Sequence, residues 1–197
     1  MTAMTVIPTE TRKRRYLDLM SAFPTGVAVV TSRDADGTPR GMTCSSIASA
    51  TLLPPTLLVC LQIGSGTLEA ITANGGFAVN LLHEGGQRAA EVFSRPDPNR
   101  FARVSWRPSR SGLPWLVDDA FAVAECQVSH FVKVGDHAVV LGEVRDIAQI
   151  TGIPLLYGLR GFASWPRPVP VPVKQRPETG LDMWAELPVG AAGEPVH

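Results

Sequence analysis

From Gly41 to Pro55 the chain reads Gly-Met-Thr-Cys-Ser-Ser-Ile-Ala-Ser-Ala-Thr-Leu-Leu-Pro-Pro, a run of small and hydroxyl-bearing residues closed by a double proline. Proline has no N–H to give to a sheet ladder, so the strand that this run suggests must stop there. Read as one extended strand over 40–50, the period of two puts Thr43, Ser45 and Ser49 on one face and Met42, Cys44 and Ser46 on the other. Narrow side chains let a planar ligand come close to the backbone, where amides and hydroxyls bond the polar edge of a heterocycle. An apolar run over 56–62 follows, and Gly64-Ser-Gly-Thr67 then leads into Leu68-Glu-Ala-Ile-Thr-Ala73. A helix that begins here presents free amides and the positive end of its dipole, which suits a phosphate. Hydroxyl N-caps are as common where nothing is bound, so for Ser65 and Thr67 the residues alone leave both readings open.

The rest of the chain is strand-rich. Tyr16, Leu19, Met20 and Phe23 recur at helical spacing, which predicts a first helix over 9–23 stopped by Pro24. Strands are predicted over 26–32, 40–50, 56–62 and 77–82, with Asp34-Ala-Asp-Gly37 as a hairpin turn. A helix from about Thr67 and another over 83–94, burying Ala89, Ala90, Val92 and Phe93, complete the first half. Two longer strands follow, over 120–131 and 136–147, each alternating between two environments. Many strands, few helices and no regular βα alternation predict a mainly β fold built on a closed or partly closed barrel. No G-x-G-x-x-G follows a strand, so no dinucleotide-binding βαβ module is expected.

Composition narrows the function classes. Lysine plus arginine equals aspartate plus glutamate at 18 each, so no basic field favours nucleic acid. No apolar run has the length of a membrane span, and Arg12-Lys-Arg-Arg15 is followed by no apolar stretch of the secretory kind. Cys44, Cys60 and Cys126 are odd in number and widely spaced, which favours reduced, buried thiols in a cytoplasmic protein over disulfides or a metal site.

Seven segments stand in an order that resembles one family. They are Phe23-Pro-Thr-Gly-Val-Ala-Val-Val-Thr31, Gly41-Met-Thr-Cys-Ser-Ser46, Pro54-Pro55, Ser65-x-Thr67, Phe77-Ala-Val-Asn-Leu-Leu82, Gly135-Asp-His137 and Pro154-Leu-Leu-Tyr157. The order resembles the short-chain flavin reductases, the reductase components of two-component flavin-dependent monooxygenases, over residues 14–165. The resemblance implies a split Greek-key β-barrel flanked by a few α-helices, usually a homodimer with the pocket near the interface. It implies hydride transfer from NADH, with NADPH the alternative, to FAD or FMN, with reduced flavin passed to a separate oxygenase. No protein nucleophile and no metal is required, because the two rings react by stacking.

Carried over by position, the resemblance places Met42, Thr43, Cys44, Ser45, Ser46 and Ser49 along the isoalloxazine and ribityl side. Leu61 and Gln62 fall at the flavin edge, and Ser65 and Thr67 at its phosphate. Arg95, Asn99, Arg100 and Phe101 resemble the region that meets the adenine end of FAD. His137 is the side chain expected beside the nicotinamide, with Tyr157 and Arg160 as further candidates for the same cleft. His83 and His130 match no site of the family and are expected to be structural.

Two departures stand out. Relatives often carry alanine or serine at Cys44, and from Pro166 onward the chain holds seven of its 17 prolines. That composition reads as an extended tail over 166–197 after a domain over 1–165. A flavin-binding carrier or sensor without turnover is the alternative function, against which the intact Gly135-Asp-His137 run argues. An oxygenase is a third reading, disfavoured because an oxygenase must exclude water from its pocket.

Overall fold

The computed structural model describes residues 9–166. The tail expected over 166–197 lies, but for Pro166, outside the described residues.

A helix, α1 (Thr9–Ser21), leads into β1 (Thr25–Gly26), β2 (Ala28–Arg33), β3 (Pro39–Cys44), β4 (Ile47–Leu52) and β5 (Pro55–Gln62). Helix α2 (Gly66–Asn74), β6 (Gly76–Leu82), helix α3 (Gln87–Phe93) and a 3-10 turn at Arg100–Arg103 follow. The described residues continue through β7 (Trp106–Pro108), β8 (Pro114–Leu116), the long β9 (Ala120–Val134) and β10 (His137–Gln149), then β11 (Leu155–Gly158) and β12 (Gly161–Ser164).

The seven-stranded sheet runs β3-β2-β6-β9-β10-β5-β4. Its two edge strands, β3 and β4, are therefore neighbours in sequence, joined only by Ser45-Ser46. Two residues cannot span an open sheet of that width. The sheet must curl until β3 reaches the β4–β5 side, and it does: the Cys44 thiol of β3 donates to the Cys60 carbonyl of β5 at 3.8 Å. The result is the split barrel, with every neighbouring pair antiparallel.

This closure corrects the reading of 40–50 as one strand. The run is cut at Ser45-Ser46, with a register shift between Ser49 and Thr51, so the expected common face of Thr43, Ser45 and Ser49 does not form. As the double proline requires, β4 stops at Leu52; Leu53-Pro54 form a two-residue turn, and Pro55, facing Leu52, opens β5.

Two cores form on the two sides of β2 and β6. Inside the barrel, Val30, Val59, Leu61, Phe77, Val79 and Val140 pack with Leu68 and Ile71 of α2, which plugs one end. Outside, Val29, Ala78 and Leu82 pack with Ala90 and Phe93 of α3 and Leu116 of β8. Burial on both faces explains why β2 and β6 read as nearly continuous apolar runs.

Other boundaries shift for identifiable reasons. The helix expected over 83–94 starts at Gln87, because His83 forms a β-bridge with Pro154 and Glu84–Gly86 are a turn; Val92 is only half-buried. Helix α1 stops at Ser21, short of Pro24, and buries none of its residues: Tyr16, Leu17, Leu19 and Met20 are exposed. Among the described residues no helix is long and apolar enough to cross a membrane.

Candidate functional site

A cleft of about 620 Å³ opens where three segments meet. They are the start of β3 at Arg40–Met42, the loop from Gln62 into α2, and the segment from Phe93 to Phe101. Each wall has a local cause. Gly41 sits against an aromatic pair: a side chain there would put its Cβ 2.9 Å from Phe93 and 3.2 Å from Phe101, so only glycine allows this approach. Phe101 meets Phe93 edge-on at 5.0 Å and Trp106 at 5.4 Å, which fixes the floor.

The second wall is the start of α2. Ser65 is its N-cap: the backbone is extended (φ −76°, ψ 134°) and Oγ accepts from the Leu68 N–H at 3.3 Å. Ser65 N–H itself donates to the Gln62 carbonyl at 3.2 Å. Of the first-turn amides, those of Gly66 and Thr67 then have no intrahelical acceptor, and both residues line the cleft. Helix dipole and amides together favour an anion here.

The third wall is basic. Arg100 is half-buried; its Nε donates to the Asp97 carbonyl at 3.0 Å and Nη1 to the Gly41 carbonyl. Burial, chiefly, lowers its proton affinity, with the positive charge of Arg40 adding to the effect and Asp97 opposing it. Arg95 lines the same wall and is exposed, and Asn99 is held by its own N–H donating to Asp97 Oδ1 at 2.8 Å.

The structure thus gathers Met42, Gln62, Ser65, Thr67, Arg95, Arg100 and Phe101 around one cleft. The remaining expected residues stand otherwise. Thr43 spends its hydroxyl on the Ala90 carbonyl of α3 at 2.6 Å. Cys44 and Leu61 point into the barrel core, and burial pushes the Cys44 thiol up to about 11. Ser45, Ser46 and Ser49 are exposed and lie outside the cleft lining.

His137 opens β10 and is in register with Gln62, so it stands at the rim, next to the lining and not part of it. Its Nδ1 pairs with Asp136 Oδ1 at 2.8 Å, and that hydrogen bond is the main cause that holds the Asp136 carboxyl below its ordinary range. Tyr157 and Arg160 are elsewhere within the chain. Tyr157 belongs to a three-stranded sheet of β1, β11 and β12, where it meets Phe162 edge-on at 5.1 Å, and Arg160, in the turn between β11 and β12, pairs with Asp18 of α1 at 2.7 Å. His83 is structural, as expected: Nδ1 accepts from the Gly85 N–H at 2.9 Å and Nε2 contacts the Asp118 carbonyl at 2.7 Å.

Sequence reasoning missed Arg40, Phe93 and Asp97 in this cleft. For Arg40 a signal existed. A hairpin turn at Asp34–Gly37 sets Arg40 opposite Ser32, beside Asp34, and predicts the ion pair that forms (Nη2 to Oδ2, 2.8 Å).

The barrel agrees with the comparisons. The flavin reductase like domain family matches residues 20–166, and the chain belongs to it. It is 57% identical over 148 residues to a flavin reductase (NADPH) of Lentzea aerocolonigenes, covering 75% of this chain and 86% of that protein. It is 42% identical over 154 residues to a flavin reductase (NADH) of Kitasatospora aureofaciens, covering 77% of this chain and 81% of that one. Among solved structures, the NADH:FAD oxidoreductase of Streptomyces globisporus C-1027 in complex with NAD and FAD fragments has a TM-score of 0.74 at 31% identity, over 84% of this chain and 98% of that chain.

Proposed function

We propose that this chain is an NAD(P)H:flavin oxidoreductase that reduces FAD or FMN with a hydride from a nicotinamide and supplies the reduced flavin to a separate monooxygenase. The observation that carries this reading is that the anion-ready start of α2 and the flat, glycine-lined wall at Gly41 open into one cleft, in a chain of the flavin reductase family. The residues fit the group: a helix start for the phosphate, a narrow strand and aromatic floor for the ring, and Arg95 and Arg100 for a second anionic or adenine end. When bound, flavin supplies the hydride acceptor, which no side chain of the chain replaces.

The protein's own residues then have positional roles. Gly66 and Thr67 donate backbone N–H groups to the phosphate, the Ser65 and Thr67 hydroxyls donate beside them, and Ser65 fixes the turn that aims them. Met42, through its backbone, and Gln62 line the ring side. Phe101 closes the far end with Asn99 beside it, while Thr43, Cys44, Ser45, Ser46, Ser49 and Leu61 lie outside the lining. His137 at the rim orients the nicotinamide carboxamide by hydrogen bonding.

The working unit is a homodimer in the cytoplasm. Among the described residues helix α1 buries none of its own side chains, and a second copy covering Tyr16, Leu17, Leu19 and Met20 accounts for that apolar surface. In that dimer Tyr157 and Arg160 of one subunit serve the cleft of the other. The free thiols of Cys44, Cys60 and Cys126 suit a reducing compartment. Light scattering of the purified chain tests the dimer; a monomer at micromolar concentration would contradict it.

The function is tested by turnover in air with added flavin. Consumption of NADH or NADPH in large molar excess over protein, dependent on the flavin, supports the reductase. A protein that bound flavin and consumed neither nicotinamide would be a carrier or sensor.

A further inference from the structure

Arg40 is the cleft's unassigned cation. It lines the cleft, and its Cδ lies 3.9 Å from where a Cβ on Gly66 would be, beside the first turn of α2. Its fork is pinned from behind: Nε and Nη2 both donate to Asp34 Oδ2, at 2.9 and 2.8 Å. Guanidinium has five N–H donors, so Nη1 and one hydrogen of Nη2 are left without a partner among the described residues. Asp34 is held in turn by the hairpin, its N–H donating to the Thr38 carbonyl at 3.0 Å. Arg40 is thus preorganised, whereas a free surface arginine would have to be ordered on binding.

The charge balance points the same way. Arg40, Arg95 and Arg100 line the cleft; Asp34 offsets Arg40 from behind, and the one lining carboxylate, Asp97, is already paired with Arg103 at 3.0 Å, so the balance around the cleft stays positive. Arg40 and Arg100 are close enough that the charge of one depresses the proton affinity of the other. An anion between them relieves that repulsion. The start of α2 accounts for one phosphate, and a second phosphate directly beside it is a diphosphate.

We propose that Arg40, held by Asp34, reads the second phosphate of the flavin and makes this cleft selective for FAD over FMN. The inference rests on the flavin-reductase reading. A 2′-phosphate of NADPH offers the same chemistry, and the experiment separates the two sources.

Dissociation constants for FAD and FMN are measured by flavin fluorescence on the full chain, for the wild type, Arg40→Gln and Arg40→Lys. The ion pair is half-exposed, at 46% for Arg40 and 27% for Asp34, so its loss leaves the fold intact, and thermal melting checks this. A charge-assisted hydrogen bond to phosphate corresponds to about a ten- to hundredfold preference, so the wild type binds FAD at least about tenfold more tightly than FMN. In Arg40→Gln that ratio falls by about tenfold, and Arg40→Lys, which keeps the charge and loses the fork, falls between.

An unchanged ratio in Arg40→Gln overturns the assignment. So does equal weakening of both flavins, which would put Arg40 on the shared phosphate. Loss of an NADPH-over-NADH preference with the FAD-to-FMN ratio intact would assign Arg40 to the 2′-phosphate and overturn it as well. Nicotinamide oxidation by the same samples keeps the two claims apart: a selective FAD binder that oxidises neither nicotinamide would sink the reductase reading and support Arg40. Binding of neither flavin would sink both.

Discussion

His137 stands directly opposite Gln62 in the β5–β10 ladder. The pairing is locked by the neighbouring turn, where the Ile63 N–H donates to the Asp136 carbonyl at 2.9 Å. A residue 75 positions away in sequence is thereby placed at the rim of the cleft that Gln62 lines. Replacing His137 by alanine removes one hydrogen bond from the nicotinamide side, so KM for the nicotinamide rises by roughly three- to tenfold. Steady-state kinetics check this. A larger loss of flavin affinity than of nicotinamide affinity would place His137 on the wrong side of the cleft.

Ser65 and Thr67 separate a structural from a binding role. Ser65→Ala removes the N-cap acceptor for Leu68 and lowers stability by about 1 kcal/mol. The double variant Ser65→Ala, Thr67→Ala weakens flavin by on the order of 1–3 kcal/mol, from lost hydrogen bonds to a charged group. Equilibrium titration and thermal melting read the two effects independently. Lower stability with unaltered flavin affinity would leave capping as the sole role of the pair.

Asn80 is the polar pin of the outer core. It is fully buried; Nδ2 donates to the Val29 carbonyl and Thr31 Oγ1, each at 3.1 Å, and Oδ1 accepts from the Leu116 N–H at 2.9 Å. Asn80→Asp keeps the shape and sets an acceptor against the Val29 carbonyl, which costs about 3 kcal/mol or more. Denaturant unfolding measures it. A change under about 0.5 kcal/mol would show that the network does not hold β2, β6 and β8 together.

Burial pushes the thiols up from the ordinary 9.0, Cys44 to about 11 and Cys126 to about 12. For Cys126 the charge of Glu125 adds to this. A thiol raised in the folded state keeps its proton there after the unfolded chain has lost it. Stability is therefore complete below pH 9.0 and falls as pH rises toward about 12. Thermal melts across that range show the decline, and native Cys44 and Cys126 resist thiol reagents that label the unfolded chain. Rapid labelling of both in the native protein would contradict their placement in the core.

The strands were legible wherever period and punctuation agreed, as for Phe77–Leu82 and the two long strands after Ala120. The break at Ser45-Ser46 was not, because locally those residues extend a good strand; only the meeting of β3 with β4 and β5 across the barrel cuts it. Asn80 read as one residue of a strand, since its partners come from β2 and β8. The cleft was half legible. Ser65 and Thr67 announce a helix start in the local sequence, whereas Arg40 meets Arg100 only after the segment beyond α3 folds back onto Gly41. Arg160 shows the converse: it was grouped with His137, and in one chain it pairs with Asp18.

The central claim is that this cleft brings a nicotinamide to a flavin. Rapid mixing of the protein with FAD, then NADH, under anaerobic conditions tests it most directly, with the flavin and nicotinamide absorbances followed together. The account predicts that flavin bleaches as NADH is oxidised, one for one, and at a rate proportional to protein. Flavin that binds and stays oxidised with NADH, and with NADPH in its place, would contradict it.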